Sequence, residues 1–336
     1  MSYCDIHRLG NHIRVIEGRE LILNKQGDVA QIVLHCRDEI LTIIDSGVYP
    51  EDRQAILKAA AELGKFSKVV LINSHGHADH VGNNDVIHEL QAKEVEHYCP
   101  AKDYPNLCDQ AGFFQKLMEE SCGFLDMGPP AQAVARLMAL FPELRTNKDR
   151  VGLLEDHFPL EAHQIAGISF RGFRIHNVLV IPTEGHTVGH ICCLFPEDSF
   201  FYGADEFIGA VPPWGDSDPE NQLAACRLVI DLIQSRVVTH AARGHHWGIV
   251  EGAAFAKALN SIIETTEQWN RHVSELLASG PQSVSSMLTA MRKRMPESFG
   301  PNANPLFDTM KVINTCHRLG AQTKGNAPDT LFYSSK

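Results

Sequence analysis

The stretch "KVVLINSHGHADHVGNN", Lys68 to Asn84, decides the fold. Its first five residues are β-branched or aliphatic after the lysine, and they read as a buried strand. Directly after that strand, three histidines and an aspartate fall within six positions: His75, His77, Asp79 and His80. A merely polar surface loop has no reason to begin where a buried strand ends. Open α/β sheets place their chemistry at the carboxyl ends of strands. Imidazole and carboxylate are good ligands for Zn²⁺ and other first-row metals. In a tight turn, H-x-H sets two imidazoles on one side to grip one ion, and the D-H pair two positions later faces a second. Neither set is complete without donors from elsewhere in the chain.

Upstream of this turn, "HIRVIEGRELILN", "KQGD" and "VAQIVLHCRDEILTIIDSG" read as a meander of antiparallel strands ending at Asp45, Ser46 and Gly47. "YPEDRQAILKAAAELGK" has apolar residues at helical spacing and a closing Gly64, which predicts a helix. Downstream, "NNDVIHELQAK" reads as a second helical stretch. Residues of about 98–159 break the alternation and read as an inserted helical lid. Phe113, Phe114, Leu117, Met118, Phe124, Leu125 and Met127 give it an apolar face. Two uses of that face are open: packing on the sheet, or walling a substrate pocket. Strands return in "ISFRGFRIHNVLVIPTEGHTVGHICCLF" and "SFFYGADEF". A helix, "ENQLAACRLVIDLIQSR", then leads to the strand-like "VVTHAARGHHWG". Residues 1–250 therefore contain two β-rich halves with helices. Residues 251–336 read as a helical appendage of three amphipathic stretches.

The further donors also sit after strands. His186 follows "VLVIP" in "TEGHTVGH", Asp205 follows "FFY" in "FFYGADEF", and His245 and His246 follow "VVTHAA" in "AARGHHWG". Glycines flank each and permit sharp turns. This ordered set, H-x-H-x-D-H, then G-H-T-x-G-H, an aspartate after a strand and a late G-H, resembles the metallo-β-lactamase-fold superfamily over roughly residues 10 to 250. Within it, the helical lid and appendage are similar to the thioesterase or glyoxalase II-like branch. The resemblance implies an α/β fold, an αββα sandwich with two metals at one edge between the sheets. It implies that His75, His77 and His186 hold the first metal and that Asp79, His80 and His245 hold the second. Asp205 bridges both. Zn²⁺ is the expected ion, with iron or manganese fitting the same ligands. Two departures leave alternatives. Ala204 separates Gly203 from Asp205 where the pattern has Gly-Asp, which makes Glu206 a second candidate bridge. The last motif reads "RGHHW", which keeps His246 and His240 as alternatives to His245. His190 is expected to orient a neighbour or pack. Asp45 is either a residue that orients a ligand or a plain turn residue.

The chemistry this implies is hydrolysis by a hydroxide shared between two metals, with Asp79 orienting it and carrying a proton. No G-x-S-x-G elbow competes with it. A thioester or related carboxylic ester is the first expectation for the substrate. A lactone comes second, a phosphodiester third, and metal binding without robust catalysis fourth. The 336-residue chain has a net charge of −11 and no long Lys/Arg run, which disfavours nucleic-acid or membrane-surface partners. Its nine cysteines form no C-x-x-C pair. The first residues read as neither signal peptide nor membrane span, so a cytoplasmic protein acting on a small molecule is expected. Trp214 and Trp247 flank ligand motifs, as pocket-mouth residues or as packing anchors. Arg171, Arg174 and Arg243 are cations that could meet an anionic substrate tail or stand as ordinary surface residues.

Overall fold

The computed structural model describes residues 5–18, 30–121, 124, 130–139, 151–245, 248–299 and 305–334. The first sheet collects seven strands in sequence order: β1 (Ile6–Leu9), β2 (Ile13–Ile16), β3 (Ile32–Arg37), β4 (Ile40–Ile44), β5 (Lys68–Ile72), β6 (Glu94–Cys99) and β7 (Gly152–Leu153). β1 to β4 are the antiparallel meander; from β4 onward the neighbours are parallel. The switch needs a crossover between β4 and β5. Helix α1 (Pro50–Leu63) supplies it and ends at Gly64, with φ of 94°. The Asp52 carboxylate accepts the backbone N–H groups of Val48 and Tyr49 and fixes the entry to that helix.

The second sheet runs β14 (Val250–Glu251), β13 (His240–Ala242), β12 (Phe200–Tyr202), β11 (Ile191–Phe195), β10 (Val178–Pro182), β9 (Ile168–Ile175) and β8 (Glu161–Ile165). Its β10, β12 and β13 all point the same way, because β11 opposes both β10 and β12 and β13 is parallel to β12. Their carboxyl ends therefore share one edge.

Period-two alternation sorts the side chains into layers. Val33, Ile44, Val70 and Ile72 face Phe173, Val180, Cys193 and Tyr202 across the gap between the sheets. The alternate residues Leu34, Ile43, Val69 and Leu71 pack outward on Ile56 and Ala59 of α1. Leu179, Cys192, Leu194 and Phe201 pack outward on helices α7 (Pro219–Gln234) and α8 (Gly252–Ala278). The result is the αββα sandwich. Cys192 and Cys193 are core residues, one on each side of the second sheet.

Between β5 and β7 lie four short elements: α2 (Ala78–Val81), α3 (Tyr104–Cys108), α4 (Gln110–Ser121) and α5 (Pro130–Met138). One-turn α6 (Leu154–His157) follows β7. The stretch "NNDVIHELQAK" yields only a 3₁₀ turn over Asn84–His88. The lid face does not pack on a sheet. Phe114, Leu117 and Met118 meet Ala78 together with Leu306 and Met310 of α10 (Pro305–Arg318). Phe124 packs among the C-terminal helices, and Leu125 and Met127 lie outside the described residues. Helix α8 starts in the outer layer of the sandwich. It ends among α9 (Val284–Arg294) and α10, where Trp269, Val273 and Leu277 meet Met287, Met291 and Val312. Among the described residues, no helix is long and apolar enough to cross a membrane.

Candidate metal centre

The seven leading candidate donors lie just beyond the carboxyl ends of strands: His75, His77, Asp79 and His80 after β5, His186 after β10, Asp205 after β12 and His245 after β13. The sandwich brings these four loops together at one rim. His75, His77, His186 and Asp205 form one buried group, and Asp79, His80 and His245 form another; within each group the donor atoms lie within 4.8 Å of one another. Asp205 joins the two. Its Oδ2 stands 3.5 Å from His186 Nε2 and 3.3 Å from His245 Nε2, and its Oδ1 stands 3.3 Å from His80 Nε2.

The tautomers are set from behind. The Ser74 hydroxyl donates to Asp45 Oδ2 at 2.8 Å, so it accepts from His75 Nδ1 at 3.0 Å and leaves the His75 Nε2 lone pair facing the group. His80 Nδ1 donates to Asp45 Oδ2 at 2.8 Å, which turns Nε2 inward in the same way. Asp45 also accepts the Ser74 backbone N–H at 2.7 Å and the Tyr202 hydroxyl at 3.3 Å. It orients both imidazoles and is not merely a turn residue. Replacing it with Asn removes an acceptor that His80 needs. We expect Asp45→Asn to weaken metal binding about 10–100-fold in chelator competition; unchanged affinity would reduce Asp45 to its turn.

Glu206 is not placed as a bridge. Its carboxylate accepts the backbone N–H of His186 at 3.0 Å and the Thr183 hydroxyl at 3.0 Å, and it faces His190 Nδ1 at 3.2 Å. His190 in turn accepts the Asp205 backbone N–H at Nε2, at 3.2 Å. Glu206 and His190 thus hold the loops that present His186 and Asp205. The extra residue in "GAD" is absorbed by a left-handed Ala204, φ 40°, a conformation that costs an L-residue about 1–2 kcal/mol. Two glycines make this packing possible. A Cβ on Gly244 would collide with Asp205 Oδ1, and one on Gly185 would collide with Glu206 Oε1.

His240 lies on β13, bonded to Thr239 and away from the donors, while His246 and Trp247 lie outside the described residues. Arg243 donates to the Phe207 carbonyl and braces the Asp205 turn. Arg171 donates to the Leu160 carbonyl from an exposed strand position, and Arg174 is exposed on the same strand. Asp103 carries no motif signal, yet it ties two donor loops together. Its carboxylate accepts Gly76 N–H at 3.3 Å, Gly189 N–H at 3.0 Å and the Thr187 hydroxyl at 2.6 Å.

Burial pushes the His77 pKa down to about 3 and holds His75 and His186 well below the ordinary value, so these imidazoles stay neutral with a lone pair to give. Burial also opposes a charge on His80, but Asp205, Asp45 and Asp79 outweigh it and its pKa stands well above the usual one. Asp205 is likewise buried, and His245 and His80 hold it ionised. The donor set fits divalent cations. Two buried atoms aimed into it, His80 Nε2 and Asp205 Oδ1, face each other at 3.3 Å without forming a well-aligned hydrogen bond, a state that a cation would relieve.

Next to the rim, behind Phe113 and Trp214, lies a cavity of about 270 Å³ lined by Asn106, Phe113, Lys116, Leu117, Trp214 and Asp216, among others. The Trp214 and Phe113 rings lie 4.6 and 5.0 Å from the His77 ring.

Solved structures share this architecture at low sequence identity. A metallo-beta-lactamase family protein from Thermus thermophilus matches with a TM-score of 0.60 at 16% identity, over 90% of this chain and 93% of that one. A beta-lactamase domain protein from Burkholderia ambifaria matches with a TM-score of 0.63 at 13% identity, over 98% and 94%. The inverting sec-alkylsulfatase Pisa1 from Pseudomonas sp. matches with a TM-score of 0.57 at 14% identity, over 93% of this chain and 50% of that one. These likenesses carry the fold. No curated protein matches. The family model described as the metallo-beta-lactamase superfamily matches residues 26–241, the span that holds both sheets' donor loops up to β13. With that match, the sandwich and the His/Asp cluster at its rim, the chain belongs to the metallo-beta-lactamase superfamily of metal-dependent hydrolases.

Proposed function

We propose that the protein hydrolyses a thioester or related carboxylic ester, with His75, His77 and His186 holding one divalent ion and Asp79, His80 and His245 a second, joined by Asp205. The observation that carries this reading is the pair of buried donor groups sharing Asp205 beside a partly apolar cavity. When bound, two such ions supply a water made acidic enough to attack at neutral pH and a Lewis acid for the carbonyl. Zn²⁺ suits the His-rich set. Asp79 Oδ2 faces His80 Nε2 at 3.7 Å and His245 Nε2 at 3.3 Å. Its other oxygen is available to orient the attacking water and to take its proton for delivery to the leaving group. Phe113, Leu117 and Trp214 receive the acyl or aryl group and keep bulk water from it. The lid of residues 98–159 lines that cavity, and α10 of the C-terminal unit, residues 251–336, packs behind α4 and supports it. Free thiols at every described cysteine support a cytoplasmic setting.

The test is metal analysis followed by a substrate panel. Loading with Zn²⁺ should approach two equivalents per chain; a firm ceiling of one removes the paired site. Thioesters of increasing chain length should gain roughly fourfold in kcat/KM per methylene, from about 0.8 kcal/mol each, until the cavity is full. Lactone, phosphodiester, β-lactam and sulfate-ester arms run beside them. Turnover of lactones alone favours ring opening. A phosphodiester preferred at low salt and lost at high salt overturns the ester reading.

A further inference from the structure

Trp214 stands between the cavity and the donor cluster. Its indole Nε1–H donates to His186 Nε2 at 3.2 Å. That nitrogen is also the atom through which His186 faces Asp205 and His77. A neutral imidazole has one lone pair, and it cannot serve an indole N–H and a cation together. A partly buried indole N–H that loses its acceptor takes another. Among the described residues, the open side of Trp214 is the cavity. Elsewhere the ring is held: against Phe113 at 5.7 Å, and edge-on to Phe307 of α10 at 5.4 Å. Its loop is held too, by Asn314 Nδ2 donating to the Pro213 carbonyl at 2.6 Å and by the Ser217 hydroxyl donating to the Trp214 carbonyl at 2.7 Å. The lid and the C-terminal helix thus hold a ring that lines the cavity while its N–H is aimed at His186.

We propose that Trp214 is a catalytic hydrogen-bond donor whose acceptor changes with occupancy. When His186 Nε2 gives its lone pair to a cation, the indole N–H passes to the carbonyl oxygen of the substrate. It strengthens its hold as that oxygen gains negative charge during attack. The aromatic face of the same residue is a wall for the acyl group, so one side chain sets both specificity and rate. This rests on the carbonyl-ester reading above.

The experiment uses the full chain labelled with ¹⁵N-tryptophan. Of the three indole N–H resonances, the one missing in Trp214→Phe belongs to Trp214. Added Zn²⁺ should shift it as the first equivalents bind, and butyrate added afterwards should shift it again. In kinetics on the best ester or thioester, Trp214→Phe should lower kcat about 10–100-fold with KM within about threefold, and Trp214→Ala should also raise KM. If Trp214→Phe does not fold, Trp214→Leu, which also lacks a side-chain donor, serves for both assignment and kinetics. A Trp214 resonance unmoved while two equivalents of Zn²⁺ bind overturns the proposal and leaves the hydrolase reading standing. So does a kcat that survives loss of the N–H. A Zn²⁺-induced shift without turnover of any carbonyl ester sinks the functional reading, and the carbonyl acceptor with it.

Discussion

Asp205→Ala strips both donor groups of metal at once and lowers turnover by more than about 10³-fold. Among the described residues, Asp205 is the one whose oxygens face His186, His245 and His80 together. Its loss leaves His75, His77 and His186 on one side, and Asp79, His80 and His245 on the other, with no carboxylate between them. It also removes a negative charge that sustains His80 in its raised-pKa state. Elemental analysis after Zn²⁺ loading should fall well below one equivalent, with circular dichroism unchanged. Retention of two equivalents would show that the groups do not share this residue. Asp205→Asn is the isosteric companion and should fail in the same direction.

Asp79→Ala should lower kcat by about 10²- to 10⁴-fold while KM changes little, the range of a positioned acid–base group. Asp79 belongs to the second donor group alone, so the first should keep its ion. Burial raises the Asp79 pKa, which suits a carboxylate that must pick up a proton and release it again. Metal content near one equivalent with kcat collapsed is the expected pair of readings. An unchanged kcat would make Asp79 a structural residue.

The residues that cluster at the rim were legible in the sequence because each is a local event: an apolar strand, then an imidazole or carboxylate close to a glycine. β3, β5, β10 and β11 were legible as strands from their apolar runs, but a run buried on both faces does not show which residues face which layer. β6 was not legible. "EVEHYC" carries two glutamates at the solvent-facing start of the strand, where Lys68 of β5 pairs with them at 2.7 and 3.5 Å. No single strand reveals that neighbour. The small sheet β15 (Gln282–Ser283), β16 (Gln322–Lys324) and β17 (Leu331–Tyr333) was hidden for the same reason: two- and three-residue strands have no period of their own. Asp103 went unnoticed, Glu206 was named only as a second candidate bridge and Trp214 only as a pocket-mouth residue or packing anchor, because their contacts join segments far apart in the chain. The "GAD" departure pointed to Glu206, and only the left-handed turn at Ala204 shows how the aspartate still reaches the rim.

Both donor groups draw on both halves of the sandwich. His75 and His77 come from the first sheet and His186 and Asp205 from the second, while Asp79 and His80 face His245 across the same seam. On the reading proposed above, an ion in either group is a cross-link between halves joined elsewhere mainly by apolar contact. The halves cannot part without releasing it. A ligand that binds only the folded chain adds about 2.7 kcal/mol at a hundred times its Kd, which is a substantial fraction of a typical domain's stability. The amount of folded protein in a cell would then track the free-ion supply, and scarcity of metal would be felt as lost protein as well as lost turnover.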